Sequence, residues 1–170
     1  MAAGSTYTPI ATYTLSSAVS TYTLSSIPTT YTDIICVINE LETIDGVNLA
    51  MQVGNGSVDT GTNYSYTALR GNGSSASSGR ESNIDHITVD GGAGYMNTTW
   101  GQFIIQFQNY ANTSTYKSVL CRAANASNGT SAVVGLWRST SAINTIKFLT
   151  SGGGNFAVGT TFTLYGIAAA

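Results

Sequence analysis

Few residues in this chain could start a chemical reaction. It holds one histidine, His86, beside Asp85 and close to Asp90, in a chain rich in serine. These are the residue types of a Ser-His-Asp relay, in which the imidazole takes the hydroxyl proton and the carboxylate orients the ring. No G-x-S-x-G elbow offers a serine to it. In a strand over residues 84–89, consecutive Asp85 and His86 point to opposite faces. We therefore read His86 as a structural or interfacial residue and expect no enzymatic activity. A glycosidase needs two carboxylates held across a sugar bond. Nothing in the spacing of Asp33, Glu40, Glu42, Asp45, Asp59, Glu81, Asp85 and Asp90 selects such a pair.

Metal and ligand chemistry is equally sparse. Asp59, with Asn55, Asn63 and the carbonyls of a glycine-rich loop, has the oxygen ligands that Ca2+ prefers. The pattern of an EF-hand is absent, and a side chain capping a turn is the simpler reading. Cys36 and Cys121 lie in apolar runs and read as buried free thiols rather than a disulfide. Two distant cysteines and one histidine make no zinc site, so no metal or cofactor is expected. Tyr95, Trp100, Tyr110 and Trp137 are the residue types of an aromatic glycan platform, though aromatic side chains in a β protein more often fill a core or an interface. Seven N-x-[ST] triplets begin at Asn55, Asn63, Asn72, Asn97, Asn112, Asn125 and Asn128. With no secretory signal visible, they read as surface turns without sugar.

Strands must position all of these. Trp100–Tyr110 alternates Phe103, Ile105 and Phe107 with Gln102, Gln106 and Gln108, the period of a half-buried strand. Asn48–Val53 puts Leu49, Met51 and Val53 on one face. Tyr64–Leu69, Tyr116–Ala123, with Val119 and Cys121, and Ala132–Arg138 follow the same rule. Thr30–Asn39 is apolar on both faces at Ile34, Ile35, Cys36, Val37 and Ile38, which suggests burial on both sides, and Glu40, Glu42 and Asp45 then form a charged loop. Ile84–Val89 is a short strand. Gly71–Ser82 is low in complexity and reads as a mobile loop, or one shaped by a neighbour.

The C-terminal quarter organises the rest. Ile143, Ile146, Phe148 and Leu149 make one apolar run. Gly152, Gly153 and Gly154 break it. Phe156 and Val158 then lead into Thr161–Ile167, where Phe162 and Leu164 share a face opposite Thr161, Thr163, Tyr165 and Ile167. At the other end, Thr-Tyr-Thr recurs between residues 6 and 32, and TYTLSS occurs at 12–17 and 21–26. Alternating Tyr and Thr favours β structure, so residues 1–28 read as an arm or short strands before a domain over 29–170. The chain is all-β: an antiparallel β-sandwich of jelly-roll type with eight to ten strands and an extended N-terminal arm. Its expected core includes Ile34, Cys36, Met51, Phe103, Phe107, Phe148, Phe162 and Leu164.

Charge bears on partners. Only 8% of residues are charged, against about 25% in an ordinary soluble domain. A surface of Ser, Thr, Asn and Gly suggests one largely covered by neighbours. Six scattered Lys and Arg and a net charge of −2 leave no basic patch for nucleic acid or an anionic membrane. No stretch nears the ~20 apolar residues of a membrane helix. With no signal peptide visible, synthesis in a cytoplasm is expected.

Five blocks carry a resemblance: TLSS…IPTTYTD, NGSVDTGTNYSY, FIIQFQNY, WRSTSAINTI and the closing GNFAVGTTFTLYGI. Over about residues 12 to 167 the chain resembles bacteriophage virion proteins, which occur as small free-standing proteins and as C-terminal modules of tail or head fibres. The closing block G-N-F-x-x-G-[ST]-x-F-x-L-Y-G-I is the most specific part. Thr160 stands where serine is frequent, and GNGSVD stands where N-G-D-x-G is common. The resemblance implies a jelly-roll sandwich, commonly trimeric, built into a phage particle among other virion proteins. The expected roles are capsid decoration (cement) or head fibre, or else a tail-fibre or baseplate module that binds a host glycan or receptor. Tyr95, Trp100, Tyr110, Trp137 and Tyr165 are the candidate interface or glycan contacts.

Overall fold

The computed structural model describes residues 6–168. It contains β-strands and no helix among them: β1 (Tyr7–Thr14), β2 (Thr21–Leu24), β3 (Asp33–Glu40), β4 (Asn48–Asn55), β5 (Ser57–Val58), β6 (Tyr64–Gly71), β7 (Ala76–Ile84), β8 (Ile87–Thr88), β9 (Gly101–Phe107), β10 (Lys117–Asn125), β11 (Gly129–Trp137), β12 (Thr145–Ser151) and β13 (Thr161–Ile167). One sheet has eight strands in the order β1-β13-β3-β9-β10-β11-β6-β7. The other has five, β2-β12-β4-β5, with β8 also paired to β4. All pairings are antiparallel. The chain passes repeatedly between the sheets, and this wrap makes a sandwich of jelly-roll type. The strand count of thirteen among the described residues exceeds the expected eight to ten, in part because the two-residue β5 and the exposed β7 carry no apolar pattern of their own.

The closing quarter lies at the centre of the wrap. β13 sits between β1 and β3 in the large sheet, and β12 sits between β2 and β4 in the small one. The two strands form an arch that crosses the sandwich. The turn between them needs three consecutive glycines at positive φ, Gly152, Gly153 and Gly154. Phe162 is fully buried and gathers rings from the facing sheet and from the loop that precedes β13. Its centroid lies 4.4 Å from Tyr22, 5.5 Å from Phe148 and 5.4 Å from Phe156, and Tyr13 stacks on Tyr22 at 4.9 Å. Phe156, itself buried, plugs the loop ahead of β13.

Strands, rather than a detached arm, form near the N-terminus. β1 pairs with β13 and β2 with β12, so residues 7–24 complete one edge of each sheet. Residues 1–5 of the expected arm lie outside the described residues. The two TYTLSS copies fall in opposite sheets. They bring Tyr13 onto Tyr22 and bury both Leu15 and Leu24.

Inward side chains alternate along β9, β10 and β11. Ile34, Cys36, Met51, Phe103, Phe107, Phe148, Phe162 and Leu164 are all buried in one core. Cys36 and Cys121 are free and buried. Burial pushes both thiols up, Cys121 to about 12, which leaves little reactive thiolate.

The stretch Gly71–Ser82 departs from expectation, because β7 pairs with β6 along its length as an edge strand. The Asn72 side-chain oxygen accepts hydrogen bonds from the backbone N–H of Ser74 and Ser75, which sets the turn. An edge strand with mostly exposed residues needs no apolar alternation.

Candidate functional site

The carboxylates are arranged differently from the sequence reading. Glu40 is the last inward residue of β3, following Ile34, Cys36 and Ile38 on the same face. It is fully buried and Glu42 nearly so; of the expected charged loop, only Asp45 is exposed. Neither carboxylate oxygen of Glu40 has a hydrogen-bond partner among the described residues, and Glu42 Oε2 has none. Burial pushes the Glu40 carboxyl up to about 9, with Glu42 and Asp90 adding to the rise. Asp90 is also buried and raised to about 6, although the N–H groups of Tyr95 and Gly92 donate to it. Among the described residues no three His, Cys, Asp or Glu converge as metal ligands.

Asp59 spends its oxygens on a turn. Its carboxylate accepts from Gly61 N–H at 2.8 Å, Asn63 Nδ2 at 2.9 Å and Trp137 Nε1 at 2.8 Å. Burial raises this carboxyl, but the three donors together hold it below the usual range. Residues 85 and 86 form a bend rather than part of a strand. Asp85 and His86 therefore meet instead of facing apart, with Nδ1 to Oδ1 at 2.7 Å. No serine hydroxyl hydrogen-bonds to the His86 ring among the described residues.

The four aromatics do not form one platform. Tyr95, Tyr110 and Trp137 are buried. The hydroxyl of Tyr95 donates to Thr130 O, that of Tyr110 to Pro28 O, and the Trp137 indole to Asp59. A buried aromatic polar group must find a partner, and these found theirs at three separate places. Trp100 alone of the four is exposed, at 55%. Tyr165 is half-buried on the outer face of β13, edge-on to Tyr7.

What remains accessible is the outer face of the large sheet, the side turned away from the core. Strand register sets its side chains in rows across the strands. One row runs Tyr165, Ile35, Gln106, Leu120, Val134, Thr67 and Arg80. Its first five members form an uncharged band, in which Leu120 and Val134 are exposed at 42% and 46%. A second row, four residues along the strands and so ~13 Å away, runs Asn39, Gln102, Ala124, Thr130 and Gly71. Along this row of small and polar residues lie three adjoining hollows of about 450, 130 and 340 Å3. Gln102 and Ala124 are common to the first two, and Arg122 and Thr130 to the last two. Together they make one groove, with Trp100 at one end and Leu69 at the other. Sequence reasoning missed it, because the groove depends on the register between strands.

No protein-family model matches this chain, and comparisons with curated proteins and with solved structures likewise return no match.

Proposed function

We propose that this chain is a structural component of a bacteriophage particle. It acts as a capsid decoration (cement) or head-fibre subunit, made in the host bacterial cytoplasm and built into the virion as a homotrimer that also contacts other virion proteins. The observation that carries the reading is the uncharged band Tyr165–Ile35–Gln106–Leu120–Val134 on the outer face of the large sheet, in a chain with only 8% charged residues. Leu120 and Val134 stand exposed side by side within it, and an exposed apolar patch marks a contact surface. The closing G-N-F-x-x-G-[ST] block and its resemblance to virion proteins supply the phage context and the number three. The test is light scattering on the purified protein, joined to quantitative mass spectrometry of purified particles. A stable trimer present at a copy number matched to the capsid lattice is expected. A persistent 17.6 kDa monomer that is absent from particles overturns the proposal.

A second reading, a tail-fibre or baseplate module that binds a host glycan, is favoured by one observation. Trp100 stands exposed at the end of a groove.

A further inference from the structure

The groove on the large sheet has a chemistry that selects its occupant. Its floor is made of short side chains, Ala124 and Thr130 among them, and it crosses β9, β10, β11 and β6. The strand spacing makes it ~14 Å long. An extended chain lying across the strands fits such a furrow better than a globular surface does. At one end the Trp100 indole stands open to solvent, its ring edge close to Gly159. An open indole stacks on the apolar face of a sugar ring. Gln102 and Arg122 are exposed in the groove, and neither side chain has a hydrogen-bond or ion-pair partner among the described residues. They present amide groups and a forked guanidinium to a ligand. No Asp or Glu lines any of the three hollows, whereas the exposed Arg122 lines two of them; the Arg70 side chain turns to the opposite face of β6, where it donates to Gly91 O. The groove is therefore cationic in a protein whose net charge is −2.

We propose that this groove binds an acidic oligosaccharide of the bacterial surface, with Trp100 stacked on one sugar ring, Gln102 hydrogen-bonded to sugar hydroxyls and Arg122 paired with a sugar carboxylate. The inference rests on the second reading above and assigns that reading a site and a ligand class. The groove borders the uncharged band, since Arg122 stands two residues, ~7 Å, along β10 from Leu120.

The probes are hexasaccharide-sized fragments of polygalacturonate, alginate, hyaluronan and polysialic acid, with maltohexaose as the neutral control. Trp137 is buried and Trp100 exposed, so a blue shift of tryptophan emission on titration reports Trp100. At least one acidic fragment binds, more weakly as salt is raised. Trp100→Ala weakens binding tenfold or more. Arg122→Gln removes the preference over maltohexaose. Both variants melt like the parent, because both side chains are exposed. If maltohexaose binds as well as the acidic fragments, the assignment to an acidic ligand falls while the glycan reading stands. If no oligosaccharide binds, both fall. Should Trp100→Ala bind normally, or instead change the oligomer seen on a sizing column, the groove is a contact between copies and the proposal is wrong.

Discussion

A carboxyl group shut away from water keeps its proton. Glu40 is that case, with its carboxyl pushed up to about 9 by burial and by Glu42 and Asp90. The unfolded chain loses this proton near the ordinary Glu value of 4.5, while the folded chain holds it. Between those two values the native state binds more protons, so stability falls as pH rises. The slope reaches about 1.4 kcal/mol per pH unit for one such group. Asp90 adds to the fall between its ordinary 3.8 and about 6. The melting temperature should therefore drop from pH 5 to pH 8.5, and Glu40→Gln should flatten the upper part of that fall. A parent protein that melts higher at pH 8.5 than at pH 5 contradicts this. Phe162 gives a second residue-scale test, since three rings lie within 5.5 Å of its centroid. Phe162→Ala should cost about 3–5 kcal/mol and yield insoluble or strongly destabilised protein. Thr161→Ala, on the opposite face, should be mild. Thermal melts of the two variants decide, and equal melting would mean the register of β13 is wrong by one residue.

At the scale of elements, the glycines that matter are those against which another backbone packs. A Cβ on Gly54 would lie 1.9 Å from the Ser57 carbonyl oxygen, across the tight β4–β5 hairpin. Backbone cannot swing aside as a side chain can. Gly54→Ala should open the hairpin and lower the melting point by several degrees, whereas Gly71→Ala, which meets nothing within 4 Å, should change it little. Similar losses in both would show that the β5 pairing adds nothing. Elements also divide what the sequence made legible from what it did not. β9 was legible because Phe103, Ile105 and Phe107 alternate with glutamines, and the facing of β13 because Phe162 and Leu164 alternate with Thr and Tyr. β7 was not, because an edge strand with exposed faces carries no apolar period. The aromatic candidates were ambiguous for a related reason. Residue type states that an indole or phenol can be buried or open, but only neighbours such as Asp59 under Trp137 and Pro28 beside Tyr110 decide which. The acids failed differently. Glu40 follows the inward alternation of β3, yet its charge argued for a loop, and position in the strand prevailed over residue type.

For the whole molecule, the outer face of the large sheet is the surface that most needs explaining. If the band through Tyr165 and Ile35 is a subunit contact, Tyr165→Ala should weaken the trimer while the protomer stays folded. Circular dichroism unchanged from the parent, beside a later-eluting species on a sizing column, is the expected pair of results. An unchanged elution volume places the contact elsewhere. Leu120→Lys, between Gln106 and Val134 in the band, tests the same face more harshly, because a charge buried without a partner disrupts an interface.

The arch of β12 and β13 also sets the timing of folding. β1 has β13 as its sole neighbour in the sheet, and β2 has β12, so Tyr7 waits for Ile167 and Leu24 for Ile146. On the ribosome, the first two strands emerge with nothing to pair with and must stay unpaired until almost all the described chain has been made. Contacts this distant in sequence make closure slow, and unpaired strand edges attract copies of themselves. With only 8% of its residues charged, the nascent chain has little electrostatic protection during that interval. Its yield in the cell should therefore depend on how quickly the last arch closes.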